Sequence, residues 1–313
     1  MSPQIRRRTS PFQVAIIVLV VGILTGATLL SRFYFERRRP EMPAGLPPLP
    51  PSMLAAGPAQ FRVSALAGNV EAFQNGQWYV ARAGHLLSSK DVVRTHGGSH
   101  ALLRRGSVEI EVPGNMDLRV DKLEKTTAKL GLLRGGRVSA NVGRDDEKLE
   151  IDALDTHTTN VGAASFAVSL SPGGKVSVAT TEGAARFEAQ GKQVLVRKGD
   201  ESTAFPGAAP SDPEPIPEEI LLSVIWPEDD RLDSQMRVKG KAQPSSKVNV
   251  NGVETEVGTD GVFRANVPLK VGKNHVQVDA EDIIGRTKSV ERVVTRSAPA
   301  PTLVPNNQEL WNP

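Results

Sequence analysis

Nineteen consecutive residues near the start of the chain, Phe12 to Leu30, carry no charge, and Gln13 is the only strongly polar one among them. As a helix rising about 1.5 Å per residue, this run is roughly 29 Å long, the thickness of a bilayer's hydrocarbon core. The sequence therefore predicts one membrane helix over 12–31, a short tail at 1–11, and a water-soluble body beyond Arg39. Arg6, Arg7 and Arg8 precede the run; Arg32, Arg37, Arg38 and Arg39 follow it, offset in part by Glu36 and Glu41. Basic residues on both sides leave orientation open on charge alone. The nearer basic patch lies before the span, which favours an N-terminus in the cytoplasm and a periplasmic body on a bacterial inner membrane. A cleaved signal peptide would have a shorter apolar run and an A-x-A-like site, and the Thr28-Leu29-Leu30-Ser31-Arg32 that ends this run has none. Within the span, Gly22 and Gly26 make a G-x-x-x-G pair. Such small residues let two helices approach closely, so self-association through this face stands beside the plainer reading that glycine is common in spans.

The rest of the chain is built for strands. Aromatic residues are 4% of the sequence, while 28 Gly and 23 Pro are scattered through it. The formal charge is +3, and seven arginines flank the span, so the body is near neutral or acidic. A nucleic-acid partner would call for a basic stripe on the body itself and is not expected; the flanking arginines suit anionic lipid headgroups. Cysteine is absent, which removes disulfides, thiolate metal sites, a cysteine nucleophile and a lipoprotein anchor.

Residues 32–60 form a basic flank and a stalk. Seven prolines lie between Pro40 and Pro58. In polyproline II, at about 3.1 Å per residue, this stretch would stand the body roughly 50–60 Å off the bilayer. From 61 to 205 short runs alternate apolar and polar residues, as in Val108-Glu-Ile-Glu-Val112 and Val138-Ser-Ala-Asn-Val142, with glycine turns between them. Period two with branched residues predicts strands with one buried face. Asp121 to Leu133 has room for one helical turn. Residues 206–219 are a second proline-rich linker. Seven strand-like runs follow over 220–295, among them Met236–Lys241 and Lys288–Thr295, with Asn251-Gly252 and Asp260-Gly261 as turn signals. That is the strand count of a small sandwich. Residues 296–313 are a Pro/Asn-rich tail. The expected fold is all-β after the single transmembrane helix: a solenoid- or sandwich-like domain, then a small β-sandwich.

Two resemblances rest on particular residues. Gly68-Asn-Val70, Gly84-His-Leu-Leu-Ser-Ser-Lys-Asp-Val92, Gly106-Ser107-Val108, Leu130-Gly-Leu-Leu-Arg-Gly-Gly-Arg-Val138, Phe166-Ala-Val168 and Val196-Arg-Lys-Gly199 resemble the FecR domain over residues 61–205. Where that family usually has V-R-G-T-x-F, this chain has Val161-Gly162-Ala163-Ala164-Ser165-Phe166, which keeps only the frame. The resemblance implies a β domain outside the inner membrane. Signalling members also carry a helical cytoplasmic segment that handles a sigma factor; the eleven residues before the span cannot form one, so anti-sigma activity is not carried over. Val238-Lys-Gly240, Val248-Asn-Val-Asn-Gly252, Asp260-Gly261-Val-Phe263, Gly272-Lys-Asn274 and Val278-Asp-Ala-Glu-Asp282 resemble a bacterial Ig-like domain of the glucodextranase-associated kind. That resemblance implies a spacer or assembly module.

No constellation for catalysis, and no cofactor or metal site, is read from the chain. His96 and His100 are separated by Gly97-Gly98-Ser99, a turn rather than a helix face. Asp279, Glu281 and Asp282 could supply only part of a calcium shell of six to eight oxygens. Trp78, Tyr79, Trp226 and Trp311 are the candidate contact residues for protein or glycan, with core packing as the structural alternative. The expected role is a non-enzymatic scaffold or adaptor that meets the bilayer and other envelope proteins. Transmembrane signalling and peptidoglycan or glycan binding are the alternatives.

Overall fold

Strand after strand obeys the period-two rule, and that rule builds the body. The computed structural model describes residues 60–227 and 233–298. The predicted span with Gly22 and Gly26, the stalk, and the tail with Trp311 lie outside the described residues. All described residues belong to one compact unit, 46–313. Among them there is no helix; Asp121 to Leu133, read as offering a helical turn, is the end of one strand, a bend at 124–126 and the next strand, in which Ala128, Leu130 and Leu132 point into the core on alternate positions.

The first β unit runs β1 (Phe61–Ala67), β2 (Val70–Gln74), β3 (Gln77–Val80), β4 (Leu86–Leu87), β5 (Val92–Thr95), β6 (His100–Arg105), β7 (Val108–Val112) and β8 (Met116–Leu123). It continues with β9 (Thr127–Leu132), β10 (Gly136–Val142), β11 (Lys148–Ala153), β12 (Thr156–Leu170), β13 (Val176–Ala189), β14 (Lys192–Arg197), β15 (Asp200–Ala204) and β16 (Glu214–Pro215). Hydrogen bonding links them in the order β3-β2-β5-β8-β9-β11-β12-β10-β7-β6-β1-β4, with β13 beside β12. Only β9 and β11 are parallel among neighbours on this path. The strand between them in sequence, β10, pairs instead with β7 and β12, so the chain circles the core once there.

The sheet turns over at β12 and β13. The first half of β12 pairs with β11 and its second half with β10; β13 likewise passes from β15 to β14. Between the halves the register shifts from Val161↔Ala184 to Ser165↔Glu182. Gly162 and Gly183, both at φ +68°, sit at that corner. Sixteen residues of straight strand would separate Leu154 from Leu170 by about 50 Å. Yet a Cβ on Gly174, in the turn just past Leu170, would lie 3.4 Å from the Leu154 side chain. The hairpin therefore doubles back, and its two arms belong to two facing layers, as strands do when they switch sheets at a bend. One core fills the space between, from Phe61 and Leu103 through Ile110, Leu118, Leu130 and Ile151 to Phe187.

The second unit is a small sandwich of β17 (Leu222–Ile225), β18 (Gln235–Ala242), β19 (Lys247–Val250), β20 (Val253–Thr255), β21 (Val262–Pro268), β22 (Gly272–Glu281) and β23 (Thr287–Arg296). One sheet is β17-β18-β21, the other β20-β19-β22-β23. In β18, Met236, Val238, Gly240 and Ala242 alternate inward. Gly240 leaves room for the Phe263 ring, which a Cβ there would strike. The segment joining the units is clasped to the first one. Ser211 N–H donates to Thr203 O at 2.9 Å, Ile216 N–H donates to Gly199 O at 2.7 Å, and β16 adds to β15.

Candidate functional site

Three polar or aromatic assemblies stand out from the β framework. The first is the edge of the sheet at β3. Asn75 and Gly76, at φ 51° and 81°, form a two-residue turn between β2 and β3 that brings Phe73 opposite Trp78. The Phe73 and Trp78 rings are tilted, with centroids 5.2 Å apart. Arg94, from β5, lays its guanidinium 4.1 Å over the Trp78 ring. Asp117 fixes that guanidinium by accepting from Nε at 2.9 Å and Nη2 at 2.7 Å, which also holds the arginine pKa above its ordinary value. Trp78 is thus half-buried in a surface cluster, and one face of its ring is already occupied by Arg94. Tyr79 points to the other side of β3 and donates from its hydroxyl to Gln77 Oε1 at 3.2 Å. In a two-residue hairpin the flanking pair, Gln74 and Gln77, is hydrogen-bonded, and pairing then alternates. The backbone N–H and C=O of Trp78 and Val80 consequently point away from β2, along an edge that no further strand covers among the described residues.

The second assembly is buried behind that edge. His85 is fully buried, and its Nε2 lies 2.6 Å from Gln74 Oε1. Gln74 Nε2 donates to Asp91 Oδ2 at 2.5 Å and to Leu86 O at 2.8 Å, and Ser88 N–H donates to the same carboxylate at 2.7 Å. An amide whose NH₂ donates to a carboxylate presents its oxygen to the histidine, so Nε2 carries the proton and the imidazole is neutral. Burial lowers the His85 pKa from 6.5 to about 4 and raises that of Asp91. This network ties β2 to the loop around β4, and its chemistry is that of a structural clasp.

The third assembly lies where the two units meet. Ala167 and Ala179, on the outer face of the first unit, pack against Ile283, with Ile216 and Ile284 alongside. Around this apolar seam the contacts are polar. Arg137 Nη2 donates to Glu281 Oε1 at 3.1 Å, and Gly173 N–H donates to Glu256 Oε1 at 2.7 Å. Lys175 Nζ donates to Pro244 O at 2.5 Å. Glu201, buried, accepts from Gln243 Nε2 at 2.9 Å and Ser245 Oγ at 2.8 Å; burial raises its pKa. A cleft of about 90 Å³ opens beside the seam, lined from the first unit by Arg137, Ser171 and Lys175 and from the second by Ser246, Glu254 and Glu256.

The remaining sequence candidates do not gather into one place. Trp226 packs partly buried against the core of the second unit, away from Trp78 and Tyr79. His96 Nε2 lies 3.2 Å from Glu71 Oε2. Asp279 accepts from Gln277, Glu281 from Arg137, and Asp282 from Arg286, so the three acids turn to three different partners. The Lys175, Glu201 and Glu256 positions carry no signal in the sequence, since each is an ordinary charge in a strand or turn with nothing nearby to mark it. Asp91 and His85 were visible only as parts of a resemblance.

Residues 222–297 match the family described as glucodextranase, domain B. Among curated proteins no sequence matches. Two crystal structures of a protein assigned as an anti-sigma factor from Parabacteroides distasonis ATCC 8503 are similar over 40% of this chain, at 11% and 12% identity, each with a TM-score of 0.35. A protein assigned as membrane anchored from Corynebacterium diphtheriae is similar over 80% of this chain and 60% of its own, at 9% identity and a TM-score of 0.22. The chain spans 59% of the length of the two anti-sigma structures. Similarities this distant give no weight to any shared activity; the glucodextranase match covers the second β unit alone.

Proposed function

We propose that this protein is an extracytoplasmic scaffold or adaptor, held at the bacterial inner membrane by its N-terminal span, that binds other proteins of a cell-envelope assembly. In this reading the first unit is a FecR-like domain and the second an Ig-like module of the glucodextranase-associated kind. The observation that carries it is the β3 edge. Trp78 and Val80 offer outward N–H and C=O groups, and the Phe73–Trp78–Arg94 cluster lies on the same edge. An extended partner segment can add a strand to such an edge and place a side chain against the cluster. A glycan platform is less well served, because Arg94 covers a ring face that a sugar would need. The test is affinity purification of the full chain from gently solubilised membranes, alongside a variant carrying Trp78→Ala and Val80→Pro. Stoichiometric protein partners that the variant loses are expected. Retention of the wild type on purified cell wall, with no protein partner recovered, would overturn the proposal.

A further inference from the structure

The cleft between the two β units holds a charge arrangement that its own ion pairs do not complete. Seven charged side chains line it: Arg137, Lys175, Lys247, Glu254, Glu256, Glu281 and Asp282. Arg137 is paired with Glu281 and Lys247 with Glu254, and Asp282 is held by Arg286. That leaves one ammonium, Lys175 from the first unit, and one carboxylate, Glu256 from the second. Each is engaged only with a backbone group: Lys175 with Pro244 O, Glu256 with Gly173 N–H. Lys175 feels the charge of Glu256 without touching it, and burial lowers its pKa. A buried ammonium with a single neutral acceptor is far from satisfied. Ser246, 2% exposed, also lines the cleft, and its Oγ has no partner; nor has Arg137 Nε.

We propose that this cleft is a binding site for a small zwitterion, a free α-amino acid with a short side chain. Its carboxylate lies against Lys175, with Ser246 Oγ–H and Arg137 Nε–H as further donors once the cleft adjusts around it. Its ammonium lies against Glu256. The lining carries three cations and four carboxylates, with Asp282 answered by Arg286 from outside it, so a lone anion or a lone cation meets an opposing charge that it does not answer. The size agrees. A cleft of about 90 Å³ matches about three waters at their liquid share of about 30 Å³ each, which limits the ligand to the smallest amino acids. Because Lys175 and Glu256 belong to different units, the bound molecule bridges them.

The experiment is calorimetric titration of the purified full chain with glycine, L-alanine and D-alanine, and with acetate and methylamine as one-ended controls. The amino acids bind, and each control binds at least about tenfold more weakly. Glu256→Gln keeps an acceptor for Gly173 N–H while removing the charge, so docking of the units is retained. It weakens the amino acids by about tenfold or more and does not weaken acetate. Lys175→Met weakens amino acids and acetate together. The proposal is overturned if no amino acid binds, if acetate binds as tightly as alanine, or if Glu256→Gln has no effect. Should Lys175→Met fail to fold, the Glu256→Gln result decides alone.

Discussion

His85 shows what burial does to a single titratable residue here. In the folded protein its imidazole stays neutral down to about pH 4, whereas in the unfolded chain it takes a proton near 6.5. A base whose folded pKa lies below its unfolded one favours the folded state fully above the unfolded pKa. That advantage is lost as the pH falls from 6.5 toward 4. Between about pH 8 and about pH 5 the loss is about 2 kcal/mol. Asp91 works in the opposite sense: burial raises its pKa, so the folded state takes its proton first and gains stability as the pH falls. His85→Gln removes the first effect and leaves the second. Urea unfolding at the two pH values should show the wild type losing about 2 kcal/mol more than the variant; equal losses would mean that His85 does not titrate in this way.

At the scale of elements, the long β12–β13 hairpin depends on its corner. Gly183 is at φ +68°, and a Cβ there would collide with Ala163 O. Gly191, in the β13–β14 turn, has φ +73°, but a Cβ there would meet nothing within 4 Å. Both positions penalise alanine through the left-handed backbone, by about 1–2 kcal/mol. Only Gly183→Ala also forces backbone apart, at the place where both layers are joined. We expect Gly191→Ala to cost about 1 kcal/mol and Gly183→Ala about 3 kcal/mol or more in chemical unfolding. Equal costs would show that the corner can relax. The run Val161-Gly162-Ala163-Ala164-Ser165-Phe166 falls at this same bend, where Gly162 supplies the positive φ.

For the molecule as a whole, the decisive contact is the seam between the units. It is small and apolar at its centre, and elsewhere polar, with the partly exposed Arg137–Glu281 pair adding little by itself. Ile283 is 1% exposed against Ala167 and Ala179. Replacing it with aspartate buries an unpaired charge at the seam while leaving both cores intact. Ile283→Asp should separate the units, costing about 3 kcal/mol of docking. Small-angle scattering would record a larger radius of gyration with both units still folded. An unchanged radius would show that the clasped segment at 206–219 is enough to hold them together.

Local chemistry decided the strands. Alternation in β18, and Asn-Gly at 75–76 and 251–252, act over neighbouring residues, so the second unit's strands were legible to within a few positions. The sequence also offered Trp78 and Tyr79 as contact candidates, though not Arg94 and Asp117, which reach the tryptophan from other strands. Period two says which residues face inward. It cannot say which strand lies beside which, and so could not show that β12 changes partners midway or that 206–219 lies against β15. Nor could it set Lys175 across a cleft from Glu256, 81 residues later in the chain. Those placements follow from closing two layers over one core and docking a second core against it, because only then do side chains distant in sequence share a desolvated space.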